Sequence, residues 1–136
     1  MSNLQDAALN GLIDQARQSL RDGANINDCN DIGFAPLHYA VSKGHIEMAR
    51  FLIDNGADPS IKSKGGLTPL HLAFIRRDQD MIHLLIKKGA DVTIPDNAGN
   101  SLLGAAITCG YNDIAAYIAA RLNNQLAPIE EGEREL

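Results

Sequence analysis

Four histidines and two cysteines are the side chains of this 136-residue chain that first invite a metal-site or nucleophile reading. Zinc requires ligands that converge to about 2 Å from one ion, and a nucleophilic thiol requires a base beside it. His38 and His71 lie 33 residues apart, and so do the segments around them, Ala35-Pro36-Leu37-His38-Tyr39-Ala40 and Thr68-Pro69-Leu70-His71-Leu72-Ala73. Equivalent places in adjacent copies of one stacked unit are separated by about one helix spacing, ~8–10 Å, too far to share an ion. Cys29 and Cys109 fall in different copies and miss the less than ~7 Å between Cα atoms that a disulfide needs. Both are expected to be reduced thiols in a cytoplasmic protein. His83 falls on an exposed helix position with no evident partner, and Cys109 has no histidine beside it. No phosphate loop, nucleophile elbow or His-Glu-x-x-His motif occurs, and Lys64-Gly65-Gly66 reads as a turn tip. The sequence therefore gives no catalytic, cofactor-binding or metal-ligating residue.

The elements that carry these residues repeat. The same 33-residue spacing leads on to Ser101-Leu102-Leu103-Gly104-Ala105-Ala106, and it relates Gly23-Ala24-Asn25, Gly56-Ala57-Asp58 and Gly89-Ala90-Asp91. Self-similarity at a fixed period of this size means a stacked array of small units. Thr68 can cap a helix whose first residue is Pro69, where the missing N–H costs nothing. Each unit is expected to hold two helices, with Gly11, Gly44 and Gly110 stopping the first. Arg77 stands in that place in the third unit, where a left-handed arginine costs about 1 kcal/mol, and Asp78 is placed to cap the next helix. The units are expected at about 1–29, 30–62, 63–95 and 96–122, followed by an acidic, flexible tail at 123–136. Ala35 replaces the capping threonine, at a cost of roughly 0.5–2 kcal/mol. In the fourth unit Leu102 replaces proline and Gly104 replaces histidine. Its second helix carries a bare face of Ala115, Ala116, Ala119 and Ala120, for which Leu126, Pro128 and Ile129 of the tail, or a second molecule, would be the cover.

A unit with Thr-Pro-Leu-His-x-Ala, a glycine, and a second helix ending in Gly-Ala-Asp resembles the ankyrin repeat, over residues 3–122. The resemblance implies an all-α ankyrin-repeat solenoid of four stacked helix-turn-helix repeats joined by β-turn fingers. It implies structural roles for His38, His71 and His45. It also implies that recognition lies on one concave face, built by fingers and first helices. The residues mapped to that face as partner-binding are Asp31, Ile32, Phe34, Tyr39, Lys43, Lys62, Lys64, Leu67, Leu72, Ile75, Arg76, Arg77 and Asn100. Of these, Ile32, Phe34, Tyr39, Leu67, Leu72 and Ile75 are expected to form an exposed apolar strip with a basic rim, the anatomy of an interface.

The implied function is non-catalytic binding of another protein, through an acidic or amphipathic segment. Formal net charge is −5 and there is no tryptophan, which argues against nucleic acid and anionic membrane as partners. No basic-then-apolar leader opens the chain, and no apolar run reaches the ~18 residues a membrane helix needs. A monomer is expected, with a homodimer through the last repeat as the other arrangement. Glu130-Glu131-Gly132-Glu133-Arg134-Glu135 resembles the glutamate-rich carboxy-terminal signals of bacterial type IV secretion substrates, so a delivered effector acting on a host protein is the alternative. An enzyme or small-ligand binder is the third reading and demands a deep pocket with convergent polar groups.

Overall fold

The computed structural model describes residues 3–126. Among these residues there are eight helices and no strand: α1 (Asn3–Asn10), α2 (Ile13–Arg21), α3 (Pro36–Ser42), α4 (Ile46–Asp54), α5 (Pro69–Arg76), α6 (Gln79–Lys87), α7 (Leu102–Cys109) and α8 (Asn112–Leu126). They pair as α1–α2, α3–α4, α5–α6 and α7–α8, and α1, α3, α5 and α7 pack in succession as one layer. The core lies between the two layers. Leu37, Leu70, Leu52 and Leu85 are each 0–1% exposed, and they sit in matching 33-residue registers.

Local chemistry sets the helix ends. Thr68 Oγ1 accepts from the His71 amide at 3.3 Å, while His71 Nδ1 accepts the Thr68 N–H at 3.0 Å. Ala35 gives α3 no side-chain cap, yet half of the arrangement survives, because His38 Nδ1 accepts the buried Ala35 N–H at 3.0 Å. Asp78 caps α6 by accepting from the Met81 amide at 3.2 Å. One helix end departs from expectation. α8 runs to Leu126, past the expected end near Leu122. Leu122 occupies the register of Gly23, Gly56 and Gly89, which end the second helices of the other repeats. Without a residue that readily turns left-handed, the helix continues. Pro128 and Ile129, and the side chain of Leu126, lie outside the described residues.

Arg77 is the one non-glycine at positive φ among the described residues, at 57°. Its side chain is exposed, so Arg77→Gly removes the Cβ strain and loses little packing. The expected outcome is a gain of about 1 kcal/mol, read as a raised urea midpoint at unchanged slope.

The fingers stand close together. The Lys64 amide donates to Ile32 O at 3.1 Å, and Asn97 Nδ2 donates to Lys64 O at 2.9 Å. Gly33, at φ +84°, makes this possible, since a Cβ there would sit 2.6 Å from Lys64 N. Gly66 has the same role in the next finger, with Asn97 N 2.7 Å from its notional Cβ.

Candidate partner-binding face

The face made by the fingers and the first helices differs in detail from the one expected. Leu72 is corrected: it is 9% exposed and belongs to the core, because its side chain joins the buried apolar cluster shared by the stacked repeats. Phe34 and Tyr39 are half-buried. Phe34 stacks on His38 with centroids 4.7 Å apart and meets Tyr39 edge-on at 5.6 Å, and the Tyr39 hydroxyl is bonded by Asn30 Nδ2. Leu67 is also half-buried. The expected apolar strip therefore reduces to two projecting side chains over a half-buried base, Ile32 at 56% exposure and Ile75 at 69%.

The charged rim is likewise divided. Asp31, Lys43, Lys62 and Lys64 are exposed, and the three lysines make no ion pair among the described residues. Arg76 is partly engaged in holding repeats together. Its Nη1 donates to Ser42 O at 3.3 Å, its Nε lies 3.8 Å from Asp78 Oδ2, and its guanidinium covers Gly44. Arg77 is exposed, and its carbonyl accepts from the Tyr111 hydroxyl at 3.3 Å. Asn100 is exposed but turned inward on its own finger, its Nδ2 donating to Asp96 Oδ2 at 3.1 Å and its amide to Asp96 Oδ1 at 2.9 Å. Those bonds from Asn100 hold the Asp96 carboxyl below its ordinary value.

Three of the four histidines, His38, His45 and His71, have structural settings, and His83 is exposed. His38 is fully buried. Its Nδ1 is an acceptor, so the proton sits on Nε2, which donates to Leu67 O of the next finger at 2.9 Å. Burial pushes its pKa down, and the bond to the Leu67 carbonyl only partly offsets this. His45 packs against Gly11, its Nε2 3.0 Å from Leu9 O. His71 has the same tautomer as His38, yet its Nε2–H makes no well-formed hydrogen bond among the described residues and is closed to water, although the Ile94 carbonyl is close enough to act on it. Burial lowers its pKa, opposed first by the negative charge of Asp96. No group of three or more His, Cys, Asp or Glu among the described residues is arranged to hold a metal. Both cysteines are free, Cys29 exposed and Cys109 half-buried.

Two features escaped the sequence reading. A groove of about 660 Å³ opens between repeats three and four, with Leu67, His71, Phe74, Asn100 and Ala105 among its walls. Ile107 is 61% exposed, although Val41 and Phe74, in the same register, are 0% and 4% exposed. Phe74 faces the next repeat, where it meets Tyr111 at 6.3 Å, and no fifth repeat follows Ile107 among the described residues. The signal for both was in the 33-residue alignment. Reading down the columns Phe34, Leu67, Asn100 and Tyr39, Leu72, Ala105 shows a large apolar pair shrinking to a polar and a small residue.

No helix of the described residues is long and apolar enough to cross a membrane. No curated protein matches the chain. A family model described as "Ankyrin repeats (3 copies)" matches it twice, over residues 4–96 and 55–126. The two matches overlap and together span nearly all of the described residues, as a three-copy pattern does when it slides along a longer array. With its eight paired helices, its linked fingers and its histidine-tied repeats, the chain belongs to the ankyrin-repeat family.

Proposed function

We propose that this chain is a non-catalytic, cytoplasmic module that binds another protein through the fingers and first helices of repeats two to four. The observation that carries the reading is the pair of projecting isoleucines, Ile32 and Ile75, at 56% and 69% exposure, together with the exposed Lys43, Lys62 and Lys64, which make no ion pair among the described residues. An apolar centre with a cationic rim on a chain of net charge −5 is a local reversal of sign. It fits an amphipathic segment that is acidic on one side and apolar on the other. The stacked fingers are fixed before binding, so little ordering entropy is lost when the partner docks. The isoleucines act as anchors, and the lysines steer the encounter.

The test is affinity capture from native lysate, comparing wild type with Ile32→Asp/Ile75→Asp at matched thermal stability. Both side chains point outward, so the double change leaves the packing intact. A partner held by wild type and lost from the variant is the expected result, since truncating a central anchor costs about 2 kcal/mol or more. A partner held equally by both would move the interface off this face.

A further inference from the structure

The groove between repeats three and four has the shape of a missing side chain. In repeat two, finger and first helix close on each other through Phe34 and Tyr39, 5.6 Å apart between ring centres. In repeat three the same two positions hold Leu67 and Leu72, half-buried and buried. In repeat four they hold Asn100 and Ala105. Asn100 turns back to Asp96 and Ala105 is too short to close on it, at one wall of an open groove of about 660 Å³ between α5, α7 and the fourth finger. Leu67, Phe74 and Ile75 make the opposite wall apolar.

A second observation points the same way. The Nε2–H of His38 is held by the Leu67 carbonyl at 2.9 Å, and Asn100 is the register equivalent of Leu67. His71 is 6% exposed and lines the groove, and the equivalent bond to Asn100 is not made. The donor is thus buried with no well-formed bond and only the Ile94 carbonyl near enough to act on it, an arrangement that a better-placed acceptor would complete. Asp96 also lines the groove. As a carboxylate accepting three hydrogen bonds from its own finger, it disfavours a second anion there.

We infer that this groove is a side-chain pocket for the partner segment: it takes one bulky apolar residue, leucine- or phenylalanine-sized, together with a neutral main-chain carbonyl that accepts from His71 Nε2–H. The fourth finger tilts off His71 to admit the carbonyl. Acidic residues flanking that apolar residue meet Lys64 and the other unpaired lysines. The inference rests on the partner-binding reading above and names the residue type that the partner must present.

The test is an amide-resonance titration of the full chain with N-acetyl-leucinamide, which carries both the apolar side chain and neutral carbonyls. Saturable shifts are expected at Phe74, Ala105 and Thr108, with a shift of the His71 Nε2 resonance. Binding is expected to weaken at least tenfold for N-acetylglycinamide, which lacks the side chain, and for N-acetyl-leucine, which adds a carboxylate beside Asp96. Ala105→Leu, which supplies the leucine found at Leu72, should weaken it tenfold or more, and Thr108→Leu on the exposed lip provides a second block. Equal binding by both blocked variants, equal binding of the anion, or no saturable shift overturns the pocket. If the pocket fails while capture is still lost from Ile32→Asp, whose side chain does not line the groove, the face stands without it. If capture is unaffected by Ile32→Asp but blocked by Ala105→Leu, the pocket stands and the face must be redrawn around it.

Discussion

Replacing Leu70 by alanine is expected to cost about 2–5 kcal/mol and, in an array this short, to leave little folded protein at 37 °C. Leu70 is wholly buried on α5, between the repeat before it and the repeat after it. α5 packs on α3 and α7 as well as on α6, its own partner helix, so the cavity opens in a helix that serves three neighbours. Stability in a stacked array is a sum of repeat terms and nearest-neighbour interface terms, so truncating one central residue that serves two interfaces weakens both. The measurement is urea unfolding followed by helical circular dichroism. A loss below about 1 kcal/mol would mean that the repeats are held together chiefly by their fingers. Leu103, the register equivalent in the last repeat, is only half-buried, and the same substitution there should be milder.

His38→Ala is expected to be the next most damaging change, at about 3 kcal/mol near pH 7. It deletes a fully buried ring, unties Leu67 O from the preceding repeat, and leaves the Ala35 N–H buried without an acceptor. The cost should also depend on pH, in a definite direction. Burial holds the folded pKa of His38 below its ordinary value of 6.5, so the unfolded chain takes up a proton more readily than the folded one. The stability that the neutral ring confers is then fully present above about pH 6.5 and is lost as the pH falls below it. Wild type should weaken between pH 7 and pH 5, His38→Ala should weaken less, and the gap between them should narrow. His71, whose pKa is lowered in the same direction, keeps some acid sensitivity in both. A gap that widened on acidification would mean that the folded state favours the charged ring.

Much of this architecture could be read from spacing. The 33-residue period gave the number of units, the helix pairs and their stops, including a left-handed Arg77 and a capping Asp78, because backbone sterics and capping are local and repeat with the sequence. The face was less legible. Whether Leu72 projects or tucks in depends on the core it shares with the neighbouring repeats, and whether Arg76 is free depends on the Ser42 carbonyl 34 residues away. Both are contacts between units, invisible to a pattern within one unit. The end of α8 differs from expectation for a simpler reason: the period places a stop glycine where the sequence has Leu122. The groove required two columns of the alignment to be read against each other, since neither Asn100 nor Ala105 is unusual alone.

The exposed Ile107 has a consequence for how substitutions accumulate along the chain. Val41 and Phe74 are sealed by the repeat that follows them, whereas Ile107, at 61% exposure, answers to no neighbour among the described residues. Constraint is therefore graded along the array axis. Among the described residues, the second and third repeats pack against a repeat on both sides, and the first and fourth against one each. The outer faces of the first and fourth repeats are thus, among the described residues, the sections with the widest mutational latitude, free to drift or to acquire new surface chemistry while the interior stays fixed.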